Sequence, residues 1–362
     1  MGRVRYIGSK ARIVQEIVDL AGPPGEGRFV DAFCGTGVVS RAAARAGWRV
    51  LANDHLLSAS VAAHAQLLSV GEAPFRKLGG YQSVVEQLNA LLGTKGFFFR
   101  EYSPSGKSRT GDSRRYFTVD NAMRIDAIRK RIREWGDAGL LSVGESRLLL
   151  ADLMEAANRV ANIAGTYGCF LSRWTAGAER SLALSCRQLL SRPAEFKVTT
   201  EDVATIRTNP DDLVYMDPPY TKRQYASYYH ILETLAHGDE PLVEGVSGLR
   251  PWADKASPFC YKRRALPALI SLCDRLPSSR LLISYNCQGH IPIEEMESGL
   301  ATVGRVTVHE VARIGRYRPN AIAMDNGAHV TEFVFEIEKH VTRQGANRRR
   351  SRVNTLWSEV VA

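Results

Sequence analysis

An aspartate, two prolines and a tyrosine stand together as Asp217-Pro218-Pro219-Tyr220, after a predicted buried strand at 212–216. Because proline lacks an amide hydrogen and its ring fixes φ, the carbonyl oxygens of Asp217 and Pro218 are left as acceptors. The carboxylate adds another acceptor, and Tyr220 offers a flat ring. An exocyclic amine on an aromatic base suits this set, since acceptors on its two hydrogens favour the pyramidal, reactive form. The tetrapeptide therefore predicts a catalytic strip, with an ordinary strand-to-turn exit as the alternative.

A glycine turn far upstream is the second feature with chemical potential. A predicted strand at 28–33 runs into it, and a second predicted strand at 48–52 ends in Asn53-Asp54. The turn consists of Cys34, Gly35, Thr36 and Gly37. Glycines tolerate positive φ and let a ligand approach the backbone, and an acid after the second strand can hold two ribose hydroxyls. These residues predict a nucleoside-type cofactor.

A nicotinamide-dependent oxidoreductase would use a similar sheet, so this class stays open at this point. Against it, Ser40 stands where the dinucleotide pattern G-x-G-x-x-G places its third glycine. The third motif, at 6–10, opens the first predicted helix, with Ser9 as its cap and Gly22 at its end. A helix amino terminus and Lys10 favour an anion, although a solvated lysine is the alternative.

The elements that must position these residues alternate between strand and helix, which predicts an α/β fold with a mostly parallel sheet. Further predicted elements are a helix at 228–236, a strand at 280–285 and a late antiparallel pair at 303–311 and 329–337. Between them, the region 73–195 favours helices, one capped by Asp120 and one at 145–164. We therefore predict a discontinuous domain at 1–72 and 196–340, an inserted helical domain at 73–195, and a basic, mobile tail at 341–362.

The charge balance suggests a polyanionic partner. Lys and Arg number 48 against 38 Asp and Glu, a net charge of +10. Arg114, Arg115, Arg124 and Arg129 are candidate phosphate contacts, with a solvated helix face as the alternative. None of the six cysteines is at C-x-x-C spacing, so no metal site is predicted. Without a signal-like start or an apolar run of roughly 20 residues, we expect a cytoplasmic, nucleoid-associated protein.

In their order, these motifs resemble those of the α group of adenine-N6 DNA methyltransferases, the Dam-like family of the D12 class. That family has Y-x-G-x-K, then F-C-G-T/S-G, then a target-recognition insertion, then D-P-P-Y. The segments 223–225, 229–234 and 283–286 resemble the branch found in restriction–modification systems with asymmetric sites. The resemblance implies a Rossmann-like methyltransferase sheet carrying an inserted, mainly helical target-recognition domain.

The resemblance also implies roles for individual residues. S-adenosylmethionine would be bound by Tyr6, Gly8, Ser9, Lys10, Asp31, Phe33, Cys34, Gly35, Thr36, Gly37, Asn53, Asp54, Asp202 and Asp217. The catalytic residues would be Asp217, Pro218, Pro219 and Tyr220, with the ring of Tyr220 stacked on a base that has left the duplex. DNA contacts are predicted for Arg114, Arg115, Arg124, Arg129, Arg223 and Tyr225.

The substrate implied is adenine N6 in double-stranded DNA. Cytosine-N4 enzymes more often carry Ser before P-P-Y, and RNA or glutamine enzymes often carry Asn, so Asp217 favours adenine. A DNA-binding protein without catalysis is the third hypothesis, and the intact Asp217 and Tyr220 argue against it. The resemblance leaves room for a cognate restriction endonuclease as a second partner, and we expect a monomer or a weak dimer.

Overall fold

The computed structural model describes residues 10–106, 111–222, 224–315 and 329–340. Its centre is a seven-stranded sheet in the order β3-β2-β1-β4-β5-β7-β6. The strands are β1 (Phe29–Asp31), β2 (Val50–Asn53), β3 (Phe196–Thr199), β4 (Leu213–Met216), β5 (Arg280–Asn286), β6 (Gly304–Gly315) and β7 (His329–Lys339). Strands β1 to β5 pair in parallel, and β7 is antiparallel to both β5 and β6. The predicted α/β sheet with its late antiparallel hairpin is confirmed.

The three strands at the middle of the sheet are short and buried along their whole length. Such strands are expected where helices cover both faces of a parallel sheet. Val30 of β1 is in register with Leu51 of β2 and Val214 of β4. The carboxyl ends of these strands therefore lie side by side, and they deliver Asp31, Asn53 and the residues after Met216 to one edge.

Seven helices surround the sheet in the described chain. They are α1 (Val14–Ala21), α2 (Val38–Arg45), α3 (Leu57–Leu67), α8 (Tyr225–Tyr228), α9 (His230–His237), α10 (Lys262–Arg275) and α11 (Ile293–Leu300). Helix α1 ends at Gly22, whose φ of 75° stops the helix as predicted. Its predicted cap, Ser9, lies outside the described residues, as does the tail at 341–362.

Helices α4 (Tyr81–Asn89), α5 (Phe97–Tyr102), α6 (Val119–Asp137) and α7 (Val143–Val160) form the helical region between β2 and β3. The predicted cap of α6 was wrong: Thr118 accepts the amide hydrogen of Asn121 at 3.3 Å, and Asp120 lies in the first turn. Helix α7 begins at Val143, two residues before the predicted start at 145. A capping box of Ser142 and Glu145 forms this start. It ends at Val160, before the predicted 164.

The early end of α7 has a local cause. The side chain of Asn162 donates to the carbonyl of Leu171 at 3.0 Å and accepts from the amide of Thr175 at 3.1 Å. These bonds tie the chain to the loop that follows. One apolar core joins the helical region to α3 and α9, with Leu148, Leu149 and Leu235 in its interior. No helix among the described residues has the length and apolar character needed to cross a membrane.

Candidate active site

A cavity of about 360 Å³ lies at the carboxyl ends of β1, β2 and β4. This edge is where parallel α/β sheets bind ligands, and small-molecule pockets span roughly 300–1,000 Å³. Of the predicted site residues, it is lined by Lys10, Asp31, Phe33, Cys34, Gly35, Thr36, Asn53, Asp54, Asp202, Asp217, Pro218, Pro219, Tyr220 and Tyr225. The fold thus brings together residues from both ends of the sequence.

Asp31, at the end of β1, is the most deeply buried acid of what we call the glycine-turn side of the cavity (Asp31, Gly35, Asn53 and Asp54). Its Oδ2 accepts the hydroxyl of Ser40 at 2.6 Å. Its Oδ1 is buried and has no hydrogen-bond partner among the described residues. Burial raises the pKa of the Asp31 carboxyl to about 7, although the Ser40 bond opposes this shift. An unpaired buried oxygen at a cavity wall calls for a ligand that donates to it.

Asp54 supports the glycine turn through its carboxylate. Its Oδ2 accepts the amide of Gly35 at 3.0 Å, and its Oδ1 accepts that of Leu56 at 3.0 Å. The turn needs glycine at position 35, where φ is 50°. Burial raises the pKa of Asp54 to about 6, against the two amide bonds. Each carboxylate oxygen keeps a lone pair for a ligand hydroxyl.

Three residues predicted to bind the cofactor also have structural contacts of their own. Gly37 does not line the cavity: with φ of 75°, it packs so closely on α3 that a Cβ would lie 2.5 Å from Cα of Ala63. The side-chain amide of Asn53 donates to the carbonyls of Ala32 and Glu201, and it accepts from the Thr199 hydroxyl and the Glu201 backbone amide. Burial raises the pKa of the Cys34 thiol well above its usual value, as a packing role predicts.

The other side, which we call the D-P-P-Y side (Lys10, Asp217, Tyr220 and Glu332), holds the predicted catalytic strip. Lys10 Nζ lies 3.2 Å from Oδ1 of Asp217 and 4.7 Å from the centre of the Tyr220 ring. The Tyr220 hydroxyl donates to the same Oδ1. Burial raises the pKa of Asp217, and Lys10 and the Tyr220 bond oppose this shift. The ring of Tyr220 meets that of Tyr285 edge-on, with centres 4.8 Å apart.

The sequence analysis missed several residues of this neighbourhood, among them Phe259, Lys255 and Glu332. Phe259 and Lys255 line the cavity from short 3₁₀ turns, and the Phe259 ring meets Phe33 edge-on at 5.4 Å. Nothing in the local sequence marks these turns as a cavity wall. Glu332 on β7 lies 3.3 Å from Lys10 Nζ. A carboxylate on a half-buried strand needs a partner, and this was a usable signal.

The comparison with protein families agrees with this geometry. Residues 6–296 match the family described as D12 class N6 adenine-specific DNA methyltransferase. The chain belongs to this family. The predicted family is therefore confirmed.

Three relatives show what this chain is similar to. The type II methyltransferase M.FokI of Planomicrobium okeanokoites is 31% identical over 93% of the chain, and the modification methylase StsI of Streptococcus sanguinis is 30% identical over 93%. The chain spans about half the length of these two relatives, 53% and 52%. The type II methyltransferase M.NlaIII of Neisseria lactamica is 27% identical over 92% of the chain and is covered over 97% of its own length.

Of the arginines predicted to contact DNA, Arg114 must be corrected. Its side chain is 0% exposed and pairs with Glu101 at 3.1 Å. Its remaining donors bond to the carbonyls of Gly245 and Val246. A guanidinium whose donors face buried acceptors cannot reach a phosphate, so Arg114 holds the loop at 245–248 against α5.

Two arginines of α6 are also held by contacts within the chain. Arg129 is buried, donates to the carbonyl of Asp239 at 2.8 Å and lies over the ring of Phe98. Arg124 donates to the carbonyls of Leu182 and Asn89. Both were predicted from their place off the apolar stripe. Neighbouring loops cover that face of the helix, which the sequence pattern does not reveal.

Two of the remaining DNA-contact candidates, Arg115 and Tyr225, are accessible in the described chain. Arg115 is exposed, with one donor on the carbonyl of Ser172. Tyr225 lines the cavity at the start of α8. Tyr6, Gly8, Ser9 and Arg223 lie outside the described residues. His230 is buried against the carbonyl of Tyr167 at 3.0 Å, and burial lowers its pKa to about 3, so it is a neutral structural residue.

Proposed function

We propose that this methyltransferase transfers a methyl group from S-adenosylmethionine to the N6 amine of an adenine in a specific double-stranded DNA sequence. The observation that carries the proposal is the joint arrangement at one cavity: a buried carboxylate with an open oxygen on the D-P-P-Y side, and an unpaired buried oxygen on the glycine-turn side. Membership of the adenine-specific family supports adenine as the base.

The glycine-turn side suits S-adenosylmethionine. Asp31 Oδ1 can accept the α-amino group of the methionine part, and Asp54 can accept the ribose hydroxyls at the Gly35 turn. Phe33 and Asp202 also line the cavity, and they would lie beside the methionine part and the adenine part respectively. When bound, the cofactor supplies an electrophilic methyl group on a positively charged sulfur.

On the D-P-P-Y side, the chain would bind and orient the target base. Lys10 and Tyr220 both address Oδ1 of Asp217, and no described group donates to Oδ2. The N6 amine would donate one hydrogen to this oxygen and the other to the carbonyl of Pro218. So held, the amine would present its N6 lone pair to the electrophilic methyl group that the cofactor would supply, and N6 would lose one proton after methylation. Positioning and electrostatics account for the rate gain.

The cavity is recessed from the protein surface, so the target nucleotide must leave the duplex to reach Asp217. Tyr220 offers the ring on which it would stack. Arg115 and Tyr225 are the described residues that we propose to contact the DNA around it. A cognate endonuclease is proposed as a separate partner, because the relatives are named as type II methyltransferases and modification methylases.

The test is incubation of the purified protein with genomic duplex DNA and cofactor labelled at the methyl group, followed by digestion to nucleosides. We expect label in N6-methyldeoxyadenosine, and none with the Asp217→Ala variant. Label in N4-methylcytosine, or only in RNA or protein, would contradict the proposal. Sequencing of the methylated DNA then gives the recognition sequence.

A further inference from the structure

Glu332 enters the site from a strand that no motif of the chain marks. It lies on β7, which joins the sheet beside β5 in antiparallel orientation. Its Oε2 is 3.3 Å from Nζ of Lys10, and its Oε1 accepts from the side-chain amide of Asn286 at 3.4 Å. The side chain is 13% exposed, and that of Lys10 is 5% exposed. Lys10 is therefore a buried ammonium held between two carboxylates.

The two oxygens of Asp217 have different surroundings. Oδ1 receives the ammonium of Lys10 and the hydroxyl of Tyr220. Within the described chain, Oδ2 receives no hydrogen bond, although the residue lines the cavity. A carboxylate used as an acceptor for a base needs such a free oxygen.

Lysine alone would not keep that oxygen free. Its ammonium carries three rotatable donors on a flexible stem, so a single carboxylate partner can be bridged across both oxygens. Glu332 gives the ammonium a second anionic partner, 3.3 Å from Nζ. The two acceptors, Asp217 after β4 and Glu332 on β7, together restrict the ammonium to one position. The one positive and two negative charges leave one negative charge in excess, which suits a cationic cofactor.

We propose that Glu332 is a positioning residue of this methyltransferase: it holds the Lys10 ammonium against Oδ1 of Asp217, so that Oδ2 stays open to the amine of the target base. The inference rests on the proposed function, in which that amine donates to Asp217. Glu332 itself touches neither the base nor the cofactor.

The electrostatics of Asp217 provide an independent readout. The negative charge of Glu332 raises the pKa of Asp217, in addition to burial, whereas Lys10 and Tyr220 lower it. The titratable groups that face Asp217 are Lys10, Asp31, Tyr215, Tyr220 and Glu332. Only ionised Asp217 can accept from the amine at Oδ2 while Oδ1 accepts from Lys10 and Tyr220. Removing the charge of Glu332 must therefore extend activity to lower pH, even as it lowers the maximum rate.

The experiment measures the single-turnover methylation rate of Glu332→Gln from pH 5 to pH 9 with duplex DNA and labelled cofactor. We expect the rate to fall about tenfold to a hundredfold, since small misplacements in a site cost this much. Cofactor and DNA dissociation constants should stay within about threefold of wild type, and the acid limb should move to lower pH. The matched control is Glu336→Gln, four residues along β7, whose carboxylate pairs with Arg280 and His309 outside the cavity.

A double variant tests whether Glu332 acts through Lys10. In a Lys10→Met background, Glu332→Gln should cost less than about threefold more, because the ammonium it positions is gone. The inference would be overturned by any of three results. These are a full additional loss of rate in the Lys10→Met background, a Glu332→Gln rate near wild type, or an acid limb of Glu332→Gln at the wild-type pH. Wild-type transfer in the same assay separates the two proposals: its absence contradicts the proposed function, whereas normal transfer with an indifferent Glu332→Gln contradicts only the role of Glu332.

Discussion

The two sides of the cavity are built in different ways. On the glycine-turn side, the bond between Gly35 and Asp54 spans 19 positions, and that between Ser40 and Asp31 spans 9. On the D-P-P-Y side, Lys10 and Glu332 are 322 positions apart. One β-α-β unit supplies all four residues of the first side, whereas the second is complete only when β7 pairs with β5 and brings in Glu332. The side proposed for the cofactor thus comes from one short stretch of chain, while the side proposed for the target base draws on segments from distant parts of the chain.

The sharpest way to separate the two sides is Asp217→Ala. We expect methyl transfer to fall on the order of a thousandfold or more, because the buried acceptor of the amine is lost. Lys10 keeps Glu332 as a partner, so no buried charge is left unpaired. Cofactor affinity and much of the DNA affinity should remain, as titration calorimetry and a gel-shift assay would measure. Near-normal turnover would show that Asp217 does not have this role.

On the glycine-turn side, Gly37→Ala should damage the fold rather than the chemistry. Because φ is 75° and the added Cβ would lie 2.5 Å from Cα of Ala63, we expect a loss of about 2–5 kcal/mol in the free energy of unfolding. Urea denaturation would measure it. Gly22→Ala is the matched control, since Gly22 has the same φ but nothing within 4 Å. Equal losses in both variants would mean that packing on α3 contributes nothing.

Asp54→Ala should weaken cofactor binding about tenfold to a hundredfold, because the ribose acceptor and the support of the Gly35 turn are both lost. The rate at saturating cofactor should change much less, in contrast to Asp217→Ala. Calorimetry and single-turnover kinetics give the two numbers. A variant with intact affinity and a lost rate would place Asp54 on the wrong side of the cavity.

The pH dependence of cofactor binding should report Asp31. Burial raises its pKa to about 7, and only its ionised form can accept an ammonium group. Affinity should therefore be constant above that pH and fall by up to about tenfold per unit below it. Ser40→Ala removes the bond that lowers this pKa, so the fall should begin at higher pH. A flat profile between pH 6 and pH 8 would exclude Asp31 as the acceptor.

The smallest expected effect lies outside both sides. Arg115→Ala should weaken DNA binding a few-fold and reduce the slope of log affinity against log salt by about 0.9, the value for one lost phosphate contact. Arg305, on the outer strand β6 and paired with Glu338, is the control position. An unchanged slope would remove Arg115 from the DNA surface and leave Tyr225 as the described candidate.

The sequence by itself predicted most of the sheet and fourteen of the residues that line the cavity. The strands, the glycine turn and Asp217–Tyr220 depend on local patterns: apolar runs, positive φ at Gly35 and the missing amides of the prolines. Such features are fixed within a few residues, so they can be read without neighbours. The order of the motifs then identified the family, which the match over 6–296 confirms.

Only the tertiary structure decided which charges are available. Arg114 and Arg115 are adjacent, yet one is enclosed by Glu101 and the loop at 245–248 while the other faces solvent. Glu332 acquires its place beside Lys10 through the pairing of β7 with β5. The physical reason is the same in both cases. The partner of a buried charge is set by which distant segments pack around it, and no local pattern encodes that choice.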